Sequence, residues 1–369
     1  MANCQKGAVG MNYKMSRREF LERAVSLGVS ACGLEKLVFA PGRASADSST
    51  KGSRVVVVTG PKLFVDPENN DRTPSRMGMV SVGEWDRSID QHVLNKMVNE
   101  GVRSFVGAPT PEAAWRSLFK PNDVVGIKVN SFGGRPVAVR PETVAAVIAG
   151  LRIARVKEDN IIVWDRANHE LAAAGFKLNI DGPGVKVKGT QPDGYEDEPF
   201  EIDSFKGRFS KILTREITAL INLPCVKHSG GPKITCAMKN HYGSIDNPGD
   251  HHAANGNCNP HLADLYRAPI IQKKTRLIIV DALTPLCDRG PGKPAEVDVL
   301  QWKAKTIMVG LDPVAIDHLG LLMIDEQRKK LGIPTQYTDV SPKYLYTAIE
   351  KGVGTKDPDK LSIIRRIVI

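Results

Sequence analysis

The sequence predicts an α/β protein with a mostly parallel sheet and helices on both faces, and three observations predict it. Short, almost wholly apolar runs recur along the chain: Val55 to Val58, Val124 to Val129, Ile161 to Trp164, Ala219 to Leu223, Leu277 to Val280 and Thr306 to Val309. Runs of this length without alternation fit strands buried on both faces. Segments with apolar residues at helical spacing fall between them. The runs end in polar groups, at Lys128 and Asn130, Asp165, Asn222, Asp281 and Asp312. In open α/β sheets ligands bind beyond the carboxyl ends of the strands, so these termini are expected to converge on one site.

The chain opens with an address rather than with structure. Ser16-Arg17-Arg18-Glu19-Phe20-Leu21 precedes an uncharged, weakly apolar run from Ala24 to Leu34, and Ala44-Ser45-Ala46 supplies a small-x-small cleavage site. This order predicts a twin-arginine signal over residues 1–46, cleaved after Ala46, with 47–53 as linker and 54–369 as one α/β domain. The export machinery is then a partner and the mature protein is periplasmic or extracellular. Val29-Ser30-Ala31-Cys32 resembles a lipoprotein box, a less favoured alternative that would anchor the chain at Cys32. No run of about 18 apolar residues occurs, so no integral membrane segment is expected in the mature chain.

Val55 to Val58 reads as a buried strand before Thr59-Gly60-Pro61, and residues 66–76 as a loop. A helix is expected from Ser88, with Ile89, Val93 and Met97 on one face and Gly101 closing it. A short helix from Pro111 to Phe119 carries Pro in its first turn and Glu112 near its positive end. After the strand ending at Asn130 come Gly133 and Gly134, then a helix from Pro141 with Val144, Val147, Ile148 and Leu151 on its buried face. Residues 182–217 are rich in Gly, Pro and acids early on and read as an irregular excursion. The second half repeats the pattern. It ends with a helix capped by Asp312, a helix near Lys343 to Lys351, and a strand over Leu361 to Ile369 that closes an edge.

The stretch from Ala219 to His261 holds five of the eight histidines, at 228, 241, 251, 252 and 261, and three of the six cysteines. Its glycines and prolines predict a long loop over the carboxyl ends of the strands, starting where Pro224 stops a strand. The formal charge of +10 is spread along the chain without a basic block or nucleic-acid module. It favours a small anionic partner and no nucleic acid.

The order of motifs resembles the domain of unknown function 362 family, in its twin-arginine-exported branch. The matching pieces are Val125-Gly126-Ile127-Lys128-Val129-Asn130, Val163-Trp164-Asp165, Asn222 to His228, Ala237 to Gly243, Asp281-Ala282 and Asp312 to Asp317. The resemblance implies a shared α/β fold and a site near Lys128, Lys227 and Lys239. Some relatives are described as iron–sulfur proteins with closely spaced cysteines. This sequence has no C-x-x-C, which makes a cluster held by Cys225, Cys236, Cys258 and Cys287 the less favoured cofactor.

Two constellations carry chemistry. In the first, Lys128, Lys227, His228, Lys239 and His241 are candidate acid–base residues, paired as amine and imidazole around an anionic substrate. Asn130, Asp165, Gly230, Gly231, Asn240 and Asp281 are the candidate ligand-binding residues beside them. In the second, His241, His252, Cys258 and His261 form a nitrogen and sulfur set suited to a divalent transition metal. Two function classes follow: an acid–base enzyme acting on a small anion, or a binding protein for a metal, cluster or solute.

Overall fold

A computed structural model describes residues 53–64, 89–191, 193–252, 256–290 and 300–369. The expected signal, linker and possible lipid anchor fall outside the described residues, as do the expected loop at 66–76 and Ser88.

The strands are β1 (Ser53–Thr59), β2 (Val125–Val129), β3 (Ile161–Asp165), β4 (Lys186–Gly189), β5 (Phe200–Ile202), β6 (Phe205–Gly207), β7 (Ala219–Leu223), β8 (Cys225–Ser229), β9 (Lys233–Thr235), β10 (Thr275–Leu286), β11 (Thr306–Gly310) and β12 (Leu361–Ile367). Ten of them make one sheet in the order β12-β1-β11-β10-β7-β2-β3-β4, with β8 beside β10 and β9 beside β8. β5 and β6 form a separate hairpin. The sheet is mostly parallel, as the repeating pattern predicts, and β12 lies at its edge beside β1.

Two strands run the other way, the short β9 beside β8 and, within the main order, β11. β11 is antiparallel to both neighbours, pairing Gly310 with Val55 near the start of β1 and with Ile278 near the start of β10. The end of β11 therefore lies at the amino edge, so Asp312 does not join the other strand termini. It caps the following helix through Ala315 N at 2.9 Å and ties down Ser53 Oγ and Thr355 N.

The helices are α1 (Gln91–Val106), α2 (Pro111–Leu118), α3 (Pro141–Ile153), α4 (Asn168–Ala173), α5 (His261–Tyr266), α6 (Pro269–Lys274), α7 (Pro313–Lys330) and α8 (Lys343–Glu350). They cover both faces. Val56 and Val58 pack with Leu94, Trp115 and Leu151 of α1 to α3, whereas Val55 and Val57 pack with Leu265, Ile271, Ile316 and Leu345 of α5 to α8. Alternate residues of each strand thus enter opposite cores, which is why the runs are apolar throughout. α1 starts later than expected, capped by Asp90 through His92 N and Val93 N, and it runs through Gly101 to the left-handed Gly107. Gly101 serves packing: a β-carbon there would lie 2.7 Å from Val309.

Candidate functional site

The site is built where β7 becomes β8. Pro224 interrupts pairing for one residue and the strand resumes, because the 12-residue β10 runs alongside both pieces. The glycines and prolines of this stretch predict a loop from Pro224 on, yet residues 225–229 form a strand and all five are buried. β2 stops opposite Leu223, and beyond that point β9 replaces it as the neighbour of β8. A 3-10 segment, Lys239–Ser244, then crosses back over the end of β2. Asn240 anchors it, its Nδ2 donating to Lys128 O at 2.8 Å and Asn222 Oδ1 at 2.7 Å. Asp317 of α7 holds its approach by accepting from Ala237 N at 2.7 Å and Met238 N at 3.4 Å.

Lys128 is fully buried and its ammonium is fully used. Nζ donates to Asp165 Oδ1 and Val129 O, each at 2.7 Å, and to Asn240 Oδ1 at 3.4 Å. Asp165 also accepts from Ser131 N and Oγ, both at 2.7 Å, and from Arg166 N at 2.8 Å. Burial opposes ionisation of Asp165, but Lys128 and Ser131 together hold its carboxyl below the ordinary range. Burial lowers the Lys128 amine, offset in part by Asp165.

Lys227 is 2% exposed and differs in its partners. Its Nζ donates to Asn130 Oδ1 at 2.6 Å and to Phe132 O, both neutral, and among the described residues it has no ion pair. Lys239 donates to Ser229 Oγ at 3.0 Å, again without a carboxylate among the described residues. Burial depresses both amines, and the charges of Lys128 on Lys227 and of Lys227 on Lys239 add to it. Lys128 and Lys227, and Lys227 and Lys239, thus lie within electrostatic reach of each other; among the described residues Asp165 is the carboxylate bonded to this group, with Glu170 acting at longer range.

The family model described as "Domain of unknown function (DUF362)" matches residues 125–321, from the first residue of β2 into α7. The chain belongs to this family. No curated protein sequence matches it. The DUF362 span contains every candidate site residue, from Lys128 to Asp281, and also Asp317.

Within that DUF362 core the structure separates other residues that sequence placed together. Lys227 and His228 are consecutive on β8, so they face opposite ways. His228 turns to Gln336, with Nε2 3.1 Å from Oε1, while Nδ1 accepts from Gly290 N at 3.2 Å. It does not join the lysines. His241 does lie near Lys128, fully buried with its ring edge-on to Tyr266 at 5.3 Å. Burial, with the Lys128 charge added, drives its pKa down to about 3, so the imidazole is neutral. Nδ1 sits 3.3 Å from Ser244 Oγ, and Nε2 has no hydrogen-bond partner among the described residues.

Asp281 is committed elsewhere: it accepts from Arg140 N at 3.0 Å and Thr143 Oγ1 at 2.8 Å at the start of α3, and from Leu283 N. Gly230 is open and Gly231 packs on backbone, a β-carbon there falling 1.8 Å from Gly256 O; both serve the β8–β9 turn. The four metal candidates have separate partners. His252 Nδ1 is 2.8 Å from Pro248 O, and His261 Nδ1 is 2.9 Å from Ser204 O. Cys258 lies within electrostatic reach of Lys239 and Tyr242. Among the described residues no three His, Cys, Asp or Glu side chains are grouped to hold a metal ion. Cys225, Cys236, Cys258 and Cys287 are all buried and free. Among the described residues no helix is long and apolar enough to cross a membrane.

Ser131, Ser229 and Asp317 were not singled out by sequence reading. Ser131 and Ser229 directly follow motif residues. Asp317 lies in the matched stretch from Asp312, but one carboxylate within a helix carries no visible signal of burial.

Proposed function

We propose that the protein binds a small anionic molecule between Lys227 and Lys239 and performs acid–base chemistry on it. The observation that carries this reading is the charge balance: among the described residues two of the three lysines have only neutral acceptors, and the one carboxylate bonded to the group is already claimed by Lys128. A buried cation without a counter-charge is costly, so such a site either draws in an anion or sheds a proton; Lys239 is suited to the first and Lys227 to the second. Lys239 is the less buried of the two and supplies the charge facing the ligand. Lys227, its amine lowered by burial, gives up its proton more readily than an ordinary lysine and is suited to acid–base work. The Lys128–Asp165 pair serves as a fixed internal support for Asn130 to Phe132, which in turn position Lys227.

The sequence signal further supports export by the twin-arginine route, with the site working outside the cytoplasm. No step of this reading draws on a metal or cluster.

Thermal unfolding with inorganic phosphate, sulfate and simple mono- and dicarboxylates tests the proposal. A ligand specific to the native state stabilises by about 2.7 kcal/mol at a hundredfold excess over Kd. At least one anion should raise the midpoint in a saturable way, and Lys239→Met should abolish the rise. Equal shifts in both proteins would refute the site.

A further inference from the structure

We propose that Lys227 is a nucleophilic amine that forms an imine with a small carbonyl compound whose anionic group is held by Lys239. This deepens the anion-site reading and rests on it.

The geometry of the two deepest lysines points to different protonation roles. Lys128 Nζ meets three acceptors, one of them a carboxylate, which suits an ammonium with three N–H donors. Lys227 Nζ meets two acceptors, Asn130 Oδ1 and Phe132 O, both neutral. A neutral amine has two N–H groups and one lone pair, so this arrangement satisfies both donors and leaves the lone pair in a fixed direction. Desolvation activates a lysine for attack on a carbonyl, and it is the largest influence on Lys227; Lys128 adds to the lowering and Asp165 opposes it.

The surroundings suit such a step. β8 is held between β10 and β9, so the backbone bearing Lys227 is rigid. Ser229 shares its face of β8 and brings in Lys239 at 3.0 Å. Part of the cover over the amine is the turn at Phe132, Gly133 and Gly134, with φ of 95° and 76° at the glycines. Phe132 is 53% exposed, and its ring centroid is 6.0 Å from Lys227 Nζ.

The step balances without a redox partner. The Lys227 lone pair attacks the carbonyl carbon, forming a C–N bond while the C=O π pair moves to oxygen. The carbinolamine then collapses to C=N, and both amine protons leave with the carbonyl oxygen as one water.

Pyruvate is the probe, with lactate as the matching anion that lacks the carbonyl. Full-length protein is incubated with each in the presence of borohydride, then digested and mapped by mass spectrometry. The expected result is one reduced pyruvate unit on Lys227 in wild-type protein and none from lactate. Lys227→Met should lose the adduct, and Lys233→Met, on neighbouring β9, should keep it. Because mapping uses wild-type protein, a misfolded variant does not weaken the test. No adduct, or an adduct only on other lysines, overturns the proposal. Midpoint shifts with both acids but no adduct would leave the anion site standing while removing the imine, whereas no shift and no adduct would remove both.

Discussion

Gly243 lies against Asp165: a β-carbon on Gly243 would fall 2.1 Å from Asp165 Oδ1, and 2.4 Å from Lys128 Nζ. The 3-10 segment can cross the end of β2 only because this position has no side chain. The two tips it would strike are not free to swing, since Asp165 is bonded to Ser131 and Arg166 and Lys128 to Val129 O. Gly243→Ala should therefore destabilise by about 1–3 kcal/mol, the usual range for overpacking. Urea unfolding should show a lower midpoint with an unchanged slope. Wild-type stability would mean that the segment does not sit on the ion pair.

Breaking the Lys128–Asp165 pair from one side should be worse than removing it. Asp165→Asn or Lys128→Met leaves a buried charge or an orphaned donor and should cost about 3–5 kcal/mol. The double variant Lys128→Met/Asp165→Leu should recover part of that loss. A double-mutant cycle in urea measures the coupling, and simple additivity would contradict the pairing.

Much of this arrangement could be read from the sequence. The apolar runs located β2, β3, β7 and β11, and their polar ends located Lys128, Asn130 and Asp165. An apolar run has no arrow, however, so the reversal of β11 was hidden, and with it the removal of Asp312 to the far edge. β8 was hidden for another reason. The glycines and prolines of its stretch predict a loop, yet its Lys, His and Ser are buried by pairing with β10 and β9, a tertiary effect that overrides local signals. The histidine-rich stretch promised ligands, but most of its rings pack on aromatic rings or bond to backbone carbonyls.

Asp317 should give the stability a pH signature. Its carboxyl is wholly buried and its pKa is pushed up to about 7 by that burial, despite donors from Ala237, Met238 and Tyr344. Raising pH from about 4 to about 7 ionises Asp317 in the unfolded chain first, so this group makes the protein lose stability, on the order of 4 kcal/mol. His241 acts in the other direction, with stability present above its ordinary range and lost as pH falls towards about 3. Replacing Asp317→Asn removes only the first effect. Between pH 4.5 and 7 the variant should gain stability relative to wild type, as read from urea midpoints. A constant difference at both pH values would contradict a buried, neutral Asp317.

Export is tested in cells. Changing Arg17 and Arg18 to Lys should leave the protein in the cytoplasm at its unprocessed mass, whereas the wild-type chain should be found outside it, shortened near Ala46. Unchanged distribution after fractionation would remove the twin-arginine reading.

The central claim is that Lys227 and Lys239 hold an anion, and anomalous scattering from crystals soaked in selenate tests it most directly. A selenium peak within hydrogen-bonding distance of both Nζ atoms is the predicted result, and it should vanish in Lys239→Met crystals. Peaks confined to surface lysines and arginines, with Lys227 still bonded only to Asn130 and Phe132, would contradict the account.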